Sequence, residues 1–278
     1  ISKNYQLKKP LVIYNYFSNN LKESIINNKN SIILNEASQL TLINYIEDNS
    51  KDNFMMNTMD SVKIKKNAVL ENIFINSSRC NLYFYKYIKS ELEESSCYDN
   101  YVLSTGLKFN KLDIEIDHNE EHCKSSIFSA LNLLGLEHQE IKTRINHNAP
   151  NCQSYQKVKN VLNNNSKGVY QGKIFVKDIA QKTDAYQLSK ALILDNGAEF
   201  DAKPELEIYA DDVKCSHGST SGSIDFDSIH YLKTRGIPEK EAYQMLINGF
   251  LGEVLEKITN SKLKDFLLNK LENQINEH

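Results

Sequence analysis

The sequence predicts a mainly β chain, a solenoid of stacked short strands followed by a helical tail. Three observations carry that expectation. Up to about residue 210, short β-prone runs recur between polar turns. Only 10 glycines and 4 prolines occur, few for a sandwich with many tight hairpins, so coils joined through Asn, Asp and Ser turns rank ahead of that alternative. Near residue 223 the apolar spacing changes from the period of a strand to that of a helix.

Examples of the strand runs are Ser31–Leu34, Thr41–Ile46, Ala68–Ile75, Asn81–Ile88, Leu112–Ile116, Ser126–Leu134, Gly168–Val176 and Leu206–Tyr209. Leu112, Ile114 and Ile116 face one way while Asp113, Glu115 and Asp117 face the other, as a half-buried strand requires. Strand lengths repeat, with no strict sequence repeat alongside them. The expected division is a core over residues 1–222 and a helical unit over 223–278. Asp225 is read as the cap of a first helix carrying Ile229, Leu232 and Lys233, which Gly236 ends. Pro238 opens a second helix, whose apolar stripe is Ala242, Met245, Leu246, Phe250, Val254, Leu255 and Ile258. Ser261 is read as the cap of a third, carrying Leu263, Phe266, Leu267, Leu271 and Ile275.

Composition excludes several functions. With 33 basic and 36 acidic residues among 278, the formal charge of -3 gives no general attraction to nucleic acid or an anionic membrane. No stretch approaches a transmembrane helix in length. The five cysteines, Cys80, Cys97, Cys123, Cys152 and Cys215, are odd in number and widely spaced, which argues for a reducing compartment over a disulfide framework. Asn is abundant, as in Asn27–Asn28 and Asn163–Asn165, and is read first as genomic bias and second as loop tips.

Four segments bear on chemistry. His118–His122 matches the HxxEH zinc-protease pattern, which needs both histidines on one helix face; here the run follows a strand and reads as a turn. Gly168–Lys173 lacks the GxxxxGK[ST] order of a phosphate loop, which argues against ATP hydrolysis. Cys152, close to His147, lies in an unusually polar stretch, though it, Cys80, Cys97 and Cys123 read as core or surface residues. The sharpest feature is Tyr209–Gly218. In an extended chain Cys215 and His217 share a face, pairing a soft and a borderline ligand suited to iron, zinc or copper(I). Asp211 and Asp212 are near enough in sequence to orient the imidazole. Two ligands leave a tetrahedral site incomplete, so further ligands are expected from elsewhere or from another chain.

The run Lys203–Pro204–Glu205–Leu206–Glu207–Ile208–Tyr209–Ala210–Asp211–Asp212–Val213–Lys214–Cys215–Ser216–His217–Gly218 closely resembles the signature of the SufB/SufD family of iron–sulfur cluster assembly proteins, and within it the SufD branch. Asn146–Cys152, Gln171–Ile174, Ala180–Ala185, Tyr231–Leu232 and Arg235–Ile237 resemble the same family, so the likeness is strong over roughly residues 140–258 and weaker before. Departures are Ser219–Gly222, where an Ala-containing run is more usual, and His230, read as a tolerated ring on a partly exposed helix. The chain, which opens at Ile1, is short for the branch, and the family's N-terminal helical region falls outside it through truncation or a divergent subtype.

The resemblance implies a right-handed parallel β-helix core with a C-terminal helical domain. It implies an accessory, non-catalytic subunit of the SUF complex, paired with a SufB-like subunit and with a SufC-like ATPase docked on the terminal helices. Cys215 and His217 match the family's Cys and His at the interface with SufB, where iron enters and a nascent cluster forms. No cofactor is then expected to stay on the isolated chain, only transient iron or an iron–sulfur cluster in the complex. The setting is cytoplasmic, or the plastid stroma if a targeting segment precedes Ile1. Two other functions stand beside this one: a structural binding module in which Cys215 and His217 merely pack, and a zinc hydrolase using His118 and His122. A homodimer through the unpaired solenoid end is the alternative pairing.

Overall fold

In the computed structural model, which describes residues 1–18, 20–48, 50–76 and 80–276, odd- and even-numbered strands separate into two parallel sheets. The first sheet holds eight strands: β1 (Leu11–Phe17), β3 (Gln39–Asp48), β5 (Val69–Asn76), β7 (Cys97–Thr105), β9 (Lys124–Leu133), β11 (Gln153–Leu162), β13 (Asp184–Ile193) and β15 (Lys214–Gly222). The second holds seven: β2 (Ile25–Leu34), β4 (Phe54–Ile64), β6 (Cys80–Leu92), β8 (Leu107–His118), β10 (His138–His147), β12 (Lys167–Val176) and β14 (Glu199–Ile208). Each strand pairs in parallel with the strands two before and two after it. The result is a right-handed parallel β-solenoid, flattened into two faces, followed by three helices.

One corner of each coil turns through a left-handed residue. Ala37, Asn67, Ser95, His122, Asn151 and Lys182 all have φ between 53° and 61°, and successive members lie 27 to 31 residues apart. Their backbone N–H groups reach across to the next coil: Ala37 to Lys66 O, Asn67 to Glu94 O, Ser95 to Glu121 O, Asn151 to Gln181 O and Lys182 to Asp212 O, at 2.6–3.0 Å. Only two of these six are Asn and none is Gly. The cross-coil bond and the stacked turn hold a conformation that an isolated L-residue would disfavour. That is how the chain turns so often with so few glycines.

The interior is filled by the alternate residues of each strand. Leu34, Val62, Ile64, Leu70, Leu92, Ile114, Ile116 and Ile145 stack at one end of the coil section, and Phe54, Phe84, Val102, Leu131, Val158 and Tyr170 at the other. Buried polar residues stack too: Asn44 donates to Asn72 Oδ1 at 2.8 Å, and Tyr170 Oη lies 3.0 Å from Gln187 Oε1. Repetition turns each polar side chain into its neighbour's partner, the condition for burying it.

The helices are α1 (Phe226–Thr234), α2 (Glu239–Gly252), a 3₁₀ turn (Glu253–Leu255) and α3 (Ser261–Asn276). Asp225 caps α1 by accepting from Asp227 N at 3.1 Å, and Gly236 follows with φ +87°. Three expectations shift. Pro238 is the extended residue before α2 and not its first helical residue. The long apolar stripe is broken at Gly252 into α2 and the 3₁₀ turn, with Ile247 and Leu251 buried and Met245 exposed. Asn260 caps α3 in place of Ser261, its Oδ1 accepting from Leu263 N at 3.1 Å. The helices pack on the outer face of the first sheet, where Tyr45, Ile73, Ile75, Tyr101, Phe128 and Val161 meet Ile229, Leu251, Val254, Leu255 and Leu267. Among the described residues no helix is long and apolar enough to cross a membrane.

Candidate functional site

β14 and β15 end their sheets, each paired on one side only. In the register of β15 on β13, Cys215 lies over Ala185, His217 over Gln187 and Ser219 over Ser189. Those three β13 residues are buried, so Cys215, His217 and Ser219 share the inward face of the coil. Ser189 Oγ donates to Ser219 Oγ at 2.9 Å, which fixes that face. Among the described residues no further strand covers it. Cys215 is half-buried against the cluster of Ile174, Val176, Ala180, Ala185 and Ala210, and burial pushes its thiol pKa up. His217 is exposed.

Opposite them, β14 turns Phe200, Ala202, Pro204, Leu206 and Ile208 inward, in register with Gly168, Tyr170, Gly172, Ile174 and Val176. Pro204 suits this place because an edge strand needs fewer ladder donors. The mouth of the solenoid therefore carries an apolar row on one side and the Cys, His and Ser side chains on the other. Asp211 and Asp212 lie exposed in the turn between β14 and β15, held there by Gln181 Oε1 accepting from Asp212 N at 2.9 Å. Among the described residues neither carboxylate is hydrogen-bonded to His217. His230 is exposed on α1.

The two histidines of the HxxEH run are separated by the fold. His118 ends β8 with its side chain buried, whereas His122 is the exposed left-handed corner residue, with φ 61°. A strand end and a corner cannot supply the single helix face that the zinc-hydrolase pattern requires. Lys173 pairs with Glu207 at 2.5 Å on β12 and has no phosphate cradle around it.

The fold assembles a second group that sequence spacing did not bring together. His118, His147 and Cys152 lie in the interior, each offering a ligand atom within 4.8 Å of the others. Among the described residues this is the one group of three or more such side chains that could hold a metal ion. His118 and His147 occupy equivalent positions of β8 and β10, their rings 4.6 Å apart edge to face. Ser125 Oγ is 2.9 Å from His118 Nε2, and Ser154 Oγ is 2.9 Å from His147 Nε2. Nδ1 of both rings is buried without a partner. Burial, with the nearby His147, holds His118 far below the usual imidazole range, and burial lowers His147 to about 3. Cys123 stacks beneath Cys152 and accepts from its thiol, which lowers Cys123 and raises Cys152.

A signal for this group was present in the sequence. His118–Asn119–Glu120–Glu121–His122–Cys123–Lys124–Ser125 and His147–Asn148–Ala149–Pro150–Asn151–Cys152–Gln153–Ser154 share the pattern His-Asn-x-x-x-Cys-x-Ser. The repeat equals one coil, so identical residues stack. Asn148 accordingly donates to Asn119 Oδ1 at 3.1 Å. The HxxEH reading masked it by pairing His118 with the wrong partner.

Comparison with known proteins agrees with the fold. Residues 16–250 match the family model described as "SUF system FeS cluster assembly, SufBD core domain". The iron–sulfur cluster assembly protein SufD of Escherichia coli is 41% identical over 132 residues, 48% of this chain and 31% of that protein. The SufBD family protein slr0076 of Synechocystis is 33% identical over 162 residues, 58% of this chain and 36% of its own length. The Arabidopsis thaliana chloroplastic protein ABCI7 is 26% identical over 236 residues, 84% of this chain and 50% of its own. The chain thus spans between about a third and a half of the length of these relatives. From the solenoid, the Lys214–Gly218 edge and the family model covering most of its length, the chain belongs to the SufB/SufD family of iron–sulfur cluster assembly proteins.

Proposed function

We propose that this chain is a non-catalytic, SufD-like subunit of the SUF assembly machinery, whose open end pairs with a SufB-like subunit and whose Cys215 and His217 supply half of a site for incoming iron or a nascent cluster. One observation carries this reading: Cys215 and His217 share the inward face of β15, which no further coil covers among the described residues. An inward face with an apolar row opposite is a surface built to be covered. A partner strand laid on β14 or β15 would bring its own side chains over Cys215 and His217, completing a coordination set that two ligands leave unfinished. Iron and sulfide are cargo in this scheme.

The three helices are the part of the chain offered to a SufC-like ATPase, which supplies the energy this subunit does not. Tyr231, Met245 and Phe266 are exposed apolar side chains on those helices and are suited to such a contact. The helical unit, residues 223–278, is then a docking module on a core of residues 1–222. Bacterial and chloroplastic relatives fit a cytoplasmic or stromal setting.

The test is co-expression with SufB- and SufC-like partners, with iron and acid-labile sulfide measured on the purified complex. Replacement of both residues, Cys215→Ser with His217→Ala, is expected to leave the complex assembled and to lower its iron and sulfide several-fold. Unchanged iron and sulfide would reduce the chain to a structural module. A stable homodimer that excludes the SufB-like partner would overturn the pairing.

A further inference from the structure

We propose a resident metal site in the solenoid interior, in which a divalent cation of the zinc class is held by His118, His147 and Cys152. This departs from the expectation that the isolated chain keeps no ion, and it is independent of the reading of the open end.

The donor set comes from two consecutive coils. His118 and His147 end successive second-sheet strands, and Cys152 lies in the corner that follows His147, five positions on. Two imidazoles and one thiolate suit a borderline cation such as Zn²⁺, with Fe²⁺ and Co²⁺ as near substitutes.

The hydrogen bonds prepare both rings for this role. A ligating imidazole ordinarily donates its second ring N–H to a neighbour, which fixes the tautomer and leaves the other nitrogen's lone pair for the metal. Here Ser125 and Ser154 stand 2.9 Å from the two Nε2 atoms, in the same relation within each coil. With Nε2–H donating to each hydroxyl, Nδ1 carries the lone pair, and both Nδ1 atoms are buried with no partner. Leaving such acceptors without a partner in the interior is costly. A cation bound by both rings would satisfy them. Its binding displaces the Cys152 thiol proton to solvent, breaking that S–H bond as the sulfur takes the metal.

A packing ladder is the competing account, since stacked identical residues occur elsewhere in this interior, as in Asn72 over Asn100. Unpartnered atoms occur in such ladders too, as at Asn100 Nδ2. What sets the histidines apart is the thiol of Cys152, whose sulfur lies within 4.8 Å of a ring nitrogen of each. The site is enclosed, so the ion enters as the coils close during folding and resists chelators afterwards.

The experiment uses the full chain, expressed with Zn²⁺ in the medium and, separately, with Co²⁺. Metal content is measured after dialysis against a chelator, and the Co²⁺ form is read by its visible ligand-field bands and its sulfur-to-cobalt charge-transfer band. About one ion per chain with a cysteine signature is expected, retained when Cys215→Ser and His217→Ala are both present. Cys152→Ser is expected to abolish most of the charge-transfer intensity. Ser154→Ala, which removes no ligand, is expected to weaken retention roughly tenfold. If Cys152→Ser fails to fold, X-ray absorption on the unaltered chain gives the mixed nitrogen and sulfur shell directly. A chain free of metal under both conditions, or metal that leaves with the Cys215 and His217 replacements, overturns the site.

Discussion

The ammonium of Lys159, 1% exposed on β11, donates to the backbone carbonyl of Phe250 in α2 at 2.8 Å and pairs with Glu253 at 2.5 Å. It also lies 4.3 Å from the Phe250 ring centre. One buried cation thus receives the C-terminal end of a helix, whose free carbonyls favour positive charge. Burial nevertheless lowers the Lys159 pKa despite the carboxylate beside it, so the pair only partly offsets its desolvation and mainly fixes position.

This predicts different costs for two replacements. Lys159→Ala should cost about 2–3 kcal/mol, from a cavity and an orphaned Phe250 carbonyl. Lys159→Met keeps the volume without the buried charge and should cost less than half as much. Urea unfolding followed by circular dichroism measures both, and equal losses would contradict this account.

A pH dependence follows from the partner. Burial would raise the Glu253 carboxyl, but Lys159, with Lys157 and Lys190 behind it, holds it below 4.5. A carboxyl depressed in the folded state contributes stability above its unfolded value and loses it as pH falls through the folded one. Hydrogen-exchange protection of α2 and the 3₁₀ turn, relative to β11, should therefore drop below about pH 4.5. Glu253→Gln should remove that step.

Two glycines should respond oppositely to alanine. At Gly172 an added Cβ would stand 2.2 Å from Tyr170 Oη and 2.3 Å from Gln187 Oε1, so Gly172→Ala should cost about 1–3 kcal/mol by forcing those groups apart. At Gly249, exposed within α2, a Cβ meets nothing within 4 Å, and Gly249→Ala should gain about 0.5–1 kcal/mol. Thermal unfolding of the two variants provides the check.

The proposed interface makes a chemical prediction as well. Because burial raises the Cys215 thiol, alkylation at pH 8 should run slower than for an unhindered thiol in the isolated chain. It should nearly stop once a SufB-like partner is bound. Mass spectrometry of the labelled peptide distinguishes the two states, and equal labelling would place the interface elsewhere.

Much of the solenoid was legible because alternation reports a strand whose inner face is apolar, as in Leu112–Ile116. All eight expected runs fall within or largely within strands. β10 and β11 are harder to read, because polar residues interrupt their inward faces: Gln139, Thr143 and His147 in β10, and Ser154 and Gln156 in β11. Hydrophobic periodicity cannot report a face built from stacked hydrogen bonds. Cys215 and His217 were found from spacing within one strand. His118, His147 and Cys152 escaped because their nearness comes from a repeat one coil long, which a search within a single segment does not see.

The helices change how such a molecule comes apart. Stacked coils contact only their neighbours and can fray from an end, one at a time. Here α3 returns along the outer face, and Lys270 donates to Tyr45 Oη on β3 at 2.9 Å, while Lys159 holds α2 on β11. Coils far apart in the stack are lashed to a common brace. Loss of an early coil then weakens the hold on a late one, and a structure assembled in increments gains the cooperativity of a single body.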